Sequence, residues 1–464
     1  MKQALDALFL PSTVALIGAS ANPAKLSHIA LKNMKGGRFK LYPVNPNAER
    51  ILGLKCYPSV RDIPGSLDLA VISLPAPLSL EPLKECVEKG VMVAVVTSSG
   101  FKETGSAGAK LEQRLLNAVR GTDTRILGPN TMGAFVPSIG LDTYFISKDR
   151  SPRPGTGPIA MLSQSGAVSV SFLERAAESG IGISACVGLG NKCDINENDL
   201  LEYLIRHAPT RCVAMYLESL SDGRGLFNIA ENFTEKKPIV VLKSGRTRTG
   251  AKAAASHTGA LATASDAVVN GAFKQSGIVR AFDEEELMDY AKALAYVGSI
   301  RGDRVCVVAS AGGYGVIATD LVESKDRGAG MRMASLSDRT RETIEQLIPD
   351  YGSARNPVDL TAGVTDDMYE KVLDALQADR NIDGIMMSLE LQPPLITRRL
   401  IDITEKRSSR ESAPIIVCGF GGRATAELLR ELERRRVPAY PTLWRSARAL
   451  RVLADRGSYL GRTK

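Results

Sequence analysis

Thr13-Val14-Ala15-Leu16-Ile17-Gly18-Ala19-Ser20 is the stretch from which the fold is read. Four apolar residues in a row, without alternation, run into a glycine and two small residues. A short continuous apolar run predicts a strand buried on both faces, the kind found in parallel sheets. The turn continues to Asn22-Pro23 and has the strand-to-helix form that opens a doubly wound α/β domain. It lacks G-x-G-x-x-G, and the next strand, 41–44, runs into Asn45-Pro46, where a nicotinamide dinucleotide site would often carry an acid. The turn therefore suits a phosphorylated nucleotide and disfavours NAD, while a turn that simply needs small residues reads the same way.

Working outward, further strand-sized runs lie at 68–74, 91–98 and 125–127, with helix-length stretches at 78–89 and 107–119. A polar, Pro/Gly-rich stretch at 147–157 closes this unit. A second unit repeats the alternation, with strands at 158–163, 181–187, 212–217 and 238–243 and helices at 166–179, 197–207, 266–275 and 283–297. The third follows Gly302, with strands at 304–309, 384–388 and 414–418 and helices at 314–323, 367–378, 423–435 and 443–454. The expected fold class is α/β, with three doubly wound parallel-sheet domains at 1–147, 157–299 and 302–464. A length of 464 residues agrees with roughly three domains of about 150.

Composition narrows the function. With 44% hydrophobic and 24% charged residues the chain is an ordinary globular one, not a disordered or fibrous one. Its apolar runs are strand-sized, so no membrane span is expected, and the N-terminus shows no secretory signal. The net charge of +8 is spread along the chain, and aromatics make up only 5%, so nucleic acid is not expected as a partner. Seven scattered cysteines without a C-x-x-C fit buried apolar roles in a reducing cytoplasm, with no metal site.

Three turns at the ends of strands carry candidate chemistry, because a strand feeding a helix points free N–H groups at one spot. The first is the Gly18 turn. The second is Ser163-Gln164-Ser165-Gly166, which also reads as a helix N-cap. The third region is Lys243-Ser244-Gly245-Arg246-Thr247, followed by Ser256-His257-Thr258-Gly259. Of the three histidines, His28 and His207 sit in helical patterns. His257 sits among small residues, where an imidazole can act as a nucleophile near neutral pH; a loop histidine with no role is the alternative. Glu218 ends an apolar strand, an unusual place for a carboxylate without a partner.

Taken in order, these segments resemble a known family. They are joined by Tyr42-Pro43-Val44-Asn45-Pro46, Ser98-Ser99-Gly100-Phe101-Lys102-Glu103, Leu127-Gly128-Pro129-Asn130, Gly188-Leu189-Gly190-Asn191-Lys192, Tyr216-Leu217-Glu218 and Asn356-Pro357-Val358-Asp359-Leu360. The chain resembles the α subunit of ADP-forming acyl-CoA synthetases (acetate–CoA ligase, ADP-forming), of the succinyl-CoA synthetase superfamily. The resemblance implies a Rossmann-like CoA-binding domain followed by two flavodoxin-like ligase domains. It implies the reaction acyl-CoA + phosphate + ADP ⇌ acid + CoA + ATP, through an acyl phosphate and a phosphohistidine. By match, His257 carries the phosphoryl group, Glu218 orients it, and Ser163, Ser165 and Gly166 hold phosphate. CoA would lie against Gly18, Ala19 and Ser20, with Lys25, Asn45, Pro46, Ser73, Leu74, Pro75, Ser98, Ser99 and Gly100 around it. The family's ATP-grasp module is not found in this sequence. A separate ATP-grasp β subunit holding ADP/ATP and Mg²⁺ is therefore expected, in an αβ or α₂β₂ assembly. Two other readings are a non-catalytic CoA- or acyl-CoA-binding regulatory protein and an NAD-dependent oxidoreductase.

Overall fold

The computed structural model describes residues 2–258, 265–408 and 412–462, with side chains described from residue 4 onward except over 255–258. The first sheet is built from β1 (Thr13–Ile17), β2 (Lys40–Val44), β5 (Leu69–Ile72), β6 (Val93–Val96) and β7 (Arg125–Leu127). A small hairpin, β3 (Arg50–Ile51) and β4 (Leu54–Lys55), is inserted after β2. The sheet order is β2-β1-β5-β6-β7, and every pair is parallel. Both faces of β5 and β6 are buried, which is why these strands appear in the sequence as unbroken apolar runs.

The second sheet holds β8 (Ala134–Val136), β9 (Leu141–Asp142), β10 (Thr156–Ser163), β11 (Ile183–Gly188), β12 (Cys212–Leu217), β13 (Ile239–Lys243) and β14 (Val279–Ala281). Its order is β14-β13-β12-β10-β11-β8-β9. The five strands from β14 to β11 are parallel, but β8 and β9 join antiparallel at one edge. The sequence reading put residues 134–142 with the first sheet. Both strands are two or three residues long, too short for any apolar pattern to announce the sheet they join.

The third sheet comprises β15 (Arg304–Ala309), β16 (Arg332–Met333), β17 (Val358–Asp359), β18 (Gly384–Leu389), β19 (Ile415–Gly419) and β20 (Ala439–Tyr440). The order β16-β15-β18-β19-β20, with β17 paired to β15, is parallel throughout.

Three sheets form two compact units. One comprises residues 1–177 and 182–288; the other comprises 178–181 and 289–464. The first unit therefore contains two of the three expected domains. One face of its first sheet (Val14, Leu16, Val71, Val95) belongs to the same buried cluster as one face of its second (Ala160, Leu162, Val187, Val213). The opposite face of the first sheet (Ala15, Ile17, Ala70, Ile72) has a cluster of its own. The second unit is packed around Cys306, Val308, Ile385, Met387 and Val417.

In each sheet the strand order reverses beside its first long parallel strand: between β1 and β5, between β10 and β12, and between β15 and β18. Open α/β sheets bind ligands in the crevice at the carboxyl ends of such strands.

Candidate active site

The Ser163 turn and Glu218 stand at the second of these reversals, at the carboxyl ends of adjacent strands β10 and β12. Ser163 is fully buried, and its hydroxyl donates to the Ser165 carbonyl at 2.7 Å. Ser165 Oγ accepts from the Val168 N–H at 3.4 Å, so the hydroxyl does act as a cap. The helix Gly166–Ser179 begins there. Its first-turn amides have no carbonyl within the helix to bond; that of Val168 goes to Ser165 Oγ, and the Ser165 N–H just before the helix goes to Ser163 Oγ at 3.3 Å. An added Cβ at Gly166 would lie 3.0 Å from Met132 Cγ, so the turn is tight as well as polar.

Gln164 ties the two strand ends together. Its Oε1 accepts from the N–H groups of Glu218 and Ser219 at 2.9 and 3.0 Å, and its Nε2 donates to Ser219 Oγ at 3.0 Å. Glu218 is 9% exposed. Tyr216 donates its hydroxyl to Glu218 Oε1 at 3.2 Å. Burial, with the Glu218 carboxylate nearby, pushes the Tyr216 phenol up. Two lysines flank this turn. Lys243 Nζ donates to the Glu218 carbonyl at 2.8 Å and to the Ser244 carbonyl at 2.6 Å. Lys192 Nζ donates to the Ser219 carbonyl at 2.8 Å and pairs with Glu197 at 3.0 Å. Burial pulls both ammonium groups down from their ordinary value, and Glu197 opposes that for Lys192. His257 falls on the helix Arg248–Thr258, and its side chain lies outside the described residues.

The expected CoA residues gather at the carboxyl edge of the first sheet. Gly18 has φ +83°, and a Cβ there would stand 2.6 Å from the Ser73 carbonyl, so the β1 and β5 turns touch. Asn45 Nδ2 donates to the Ala19 carbonyl at 2.7 Å, which fastens the β2 end to the same place. Ser20 accepts through its carbonyl from His28 Nδ1 at 2.9 Å and through its hydroxyl from the Asn22 N–H at 3.1 Å. Lys25, Pro46 and Pro75 are exposed, with Lys25 at the start of the helix Leu26–Met34. Leu74 follows Ser73 against Gly18, and Ser98, Ser99 and Gly100 follow β6. One expectation changes. The Gly18 and Ala19 amides both donate to the Val44 carbonyl, at 3.0 and 3.2 Å, so these two N–H groups are not free for a phosphate. Ala19 is fully buried, and Gly18 packs against Ser73 and Leu74, so both serve the packing of these turns.

A second network was visible in the sequence only as separate motifs. Glu103 accepts from the Gly100 and Phe101 N–H groups at 2.6 and 3.1 Å and from Asn191 Nδ2 at 2.6 Å. Asn191 also donates to Glu112 at 2.8 Å, and its N–H donates to the Pro129 carbonyl at 2.8 Å. Thr131 donates to the Gly188 carbonyl at 2.7 Å. Gly190 has φ +56°, and a Cβ there would lie 2.2 Å from the Pro129 carbonyl oxygen. The turns after β6, β7 and β11 are therefore bonded to one another within this unit. Sequence reasoning did not assign roles to Gln164, Lys192, Tyr216 or Lys243. Lys192 and Lys243 had one signal, a lysine at the end of an apolar strand or in a glycine-rich turn.

Comparison with known proteins places the chain among CoA ligases of the succinyl-CoA ligase type. A family model described as a CoA binding domain matches residues 12–137. A model of the succinyl-CoA ligase like flavodoxin domain matches 156–294, and one of the ligase-CoA domain matches 305–456. The α subunit of acetate–CoA ligase (ADP-forming) I of Pyrococcus furiosus is 38% identical over 457 residues, 97% of each chain. The 4-hydroxybutyrate–CoA ligase (ADP-forming) of Nitrosopumilus maritimus is 34% identical over 414 residues, 89% of this chain and 58% of that one. The solved structure of the dinucleotide-forming acetyl-coenzyme A synthetase 1 of Candidatus Korarchaeum cryptofilum, in complex with phosphate and ADP, superposes with a TM-score of 0.90 at 34% identity over 99% of both chains. The chain belongs to the ADP-forming acetate–CoA ligase family. Among the described residues no helix is long and apolar enough to cross a membrane.

Proposed function

We propose that this chain is the CoA-binding, phosphoryl-carrying α-type chain of an ADP-forming acyl-CoA ligase. A phosphate oxygen attacks the thioester carbonyl, the C–S bond breaks, and CoA leaves as its thiol. The acyl phosphate then gives its phosphoryl group to a ring nitrogen of His257, releasing the carboxylate, and the P–N bond is later broken by ADP to form ATP. Each transfer is a phosphoryl or acyl shift in which positioning and charge stabilisation supply most of the acceleration.

The observation that carries this reading is the pairing of a hydroxyl-rich helix N-terminus with a buried carboxylate at one sheet reversal. The amides at the start of the helix Gly166–Ser179 suit an anion, and Ser163, Ser165 and Gly166 would hold the phosphate. Glu218, tied to that turn through Gln164, would accept from the His257 ring and stabilise it as a cation while its other nitrogen is phosphorylated. The carboxyl edge of the first sheet is the proposed CoA surface, where the β1, β2 and β5 turns meet at Gly18, Ser20, Asn45 and Ser73. Lys25, Pro46, Leu74, Pro75, Ser98, Ser99 and Gly100 complete that proposed CoA surface.

The adenine nucleotide and Mg²⁺ are assigned to a separate ATP-grasp partner. The support is that the Pyrococcus relative is called a subunit alpha, while the Nitrosopumilus relative extends well beyond the length it shares with this chain. The acid is left unnamed, since these two relatives carry names for different acids.

Incubation of the chain with its partner, γ-labelled ATP and Mg²⁺ should place an acid-labile, base-stable phosphate on His257, and His257→Ala should abolish both label and turnover. Intact CoA binding without label in the wild-type chain would support the regulatory alternative.

A further inference from the structure

Glu218 and Ser219 leave strand β12 with all four of their main-chain polar groups bonded to side chains. Both N–H groups go to Gln164 Oε1, at 2.9 and 3.0 Å. The Glu218 carbonyl accepts from Lys243 Nζ at 2.8 Å, and the Ser219 carbonyl accepts from Lys192 Nζ at 2.8 Å. The three side chains come from the ends of three different strands, β10, β11 and β13, which surround β12 only because the sheet runs β13-β12-β10-β11. Lysine is an expensive way to satisfy a carbonyl. The Lys192 side chain is 3% exposed and needs Glu197, itself fully enclosed, as a counter-charge. Glu197 in turn accepts from the Ser221 N–H at 2.7 Å. Carbonyls that merely needed partners could have taken solvent or main-chain amides. A pair of ammonium groups instead fixes the direction of this turn from both sides.

We propose that Gln164, Lys192 and Lys243 form a clamp that aims the Glu218 carboxylate, with Lys243 as a positioning residue of the reaction. The proposal rests on the role given to Glu218 above. Gln164 holds the Glu218 N–H and Lys243 holds its carbonyl, so the main chain is fixed on both sides of the Cα from which the carboxylate hangs; a misplacement of about 1 Å at a reacting centre costs about 10²-fold in rate.

The test is a double-mutant cycle on the full chain, read as single-turnover labelling by ³²P-phosphate and whichever acyl-CoA it turns over fastest. Lys243→Met should slow labelling by about 10²-fold while KM for acyl-CoA stays within about threefold, with the thermal midpoint close to wild type. Lys243→Arg should recover most of the rate. In a Glu218→Gln background, Lys243→Met should cost less than about a further threefold, because nothing is left to aim. If Lys243→Met does not fold, Lys243→Gln carries the same cycle. A full multiplicative loss in the double variant overturns the clamp. A wild-type rate in Lys243→Met beside a slow Glu218→Gln removes the clamp alone. A wild-type rate in Glu218→Gln removes both the role of Glu218 and the clamp.

Discussion

Burial decides how Glu433 behaves. Its carboxylate meets Lys292 Nζ at 2.6 Å and the Ala439 N–H at 2.9 Å, with 3% of the side chain exposed. Desolvation still outweighs both partners and pushes the carboxyl up to about 7. The sign follows from linkage. A carboxyl whose pKa is raised by folding binds its proton more tightly in the native state. Its stabilising contribution is complete below the ordinary carboxylate range and is lost as pH climbs through about 7. Urea unfolding at pH 5 and pH 8 should show the wild-type protein losing on the order of 2–3 kcal/mol more over that window than Glu433→Gln, which cannot titrate. Parallel pH profiles for the two proteins would mean that Glu433 is ionised at both ends of the window.

Asn356 does the work of a missing strand segment. Its Nδ2 donates to the Val305 and Ala334 carbonyls at 2.8 and 3.0 Å, and its Oδ1 accepts from the Val307 N–H at 2.9 Å. One side chain therefore completes the ladder between β15 and the residue that follows β16. Asn356→Ala leaves three main-chain groups without that partner and should cost about 2–4 kcal/mol, seen as a lower denaturation midpoint with an unchanged m-value. A loss below about 0.5 kcal/mol would show that water replaces the amide. This element also marks the limit of what the sequence reveals. Strands β1, β5, β6, β10, β12 and β15 were legible because burial on both faces demands unbroken apolar runs. The Ser163 turn was legible as a strand-to-helix turn, although its hydroxyls and glycine read equally as a helix N-cap, and Ser165 does cap. The two-residue strands β16, β17 and β20 carry no period to detect. Asn356 appeared only as the first residue of a motif. The clamp on Glu218 was hidden because residues 164, 192, 218 and 243 become neighbours only through strand order. The engaged amides of Gly18 and Ala19 were hidden for the same reason, since Val44 reaches them from the neighbouring strand.

At the scale of the molecule, the first compact unit is larger than one run of sequence alternation. The three sheets suggest three independent domains, yet the first sheet shares a core with the second. Val14, Leu16, Val71 and Val95 lie in the same cluster as Ala160, Leu162, Val187 and Val213. Ala134 and Phe135 of β8 pair with β11 of the second sheet, so a cut at 147 would leave the β8–β9 hairpin without the strand that joins it to that sheet. The bidentate pair between Arg125 at the start of β7 and Asp194, with the Ile126 N–H donating to the same carboxylate at 2.8 Å, would also lose its acid. A fragment of residues 1–147 would keep Leu5, Leu8, Phe9, Leu31 and Met34 in that cluster but would uncover the apolar surface that the second sheet buries. At about 25 cal/mol per Å² of apolar surface returned to water, a few hundred Å² is enough to consume most of a domain's marginal stability of about 5–15 kcal/mol. Residues 1–147 should therefore bind a hydrophobic dye and lack a cooperative thermal transition, whereas residues 1–288 should melt in one step, both read by calorimetry and near-ultraviolet circular dichroism. A sharp, dye-free melt of the shorter fragment would mean that the face buried against the second sheet is dispensable, and that the first sheet is a domain in its own right.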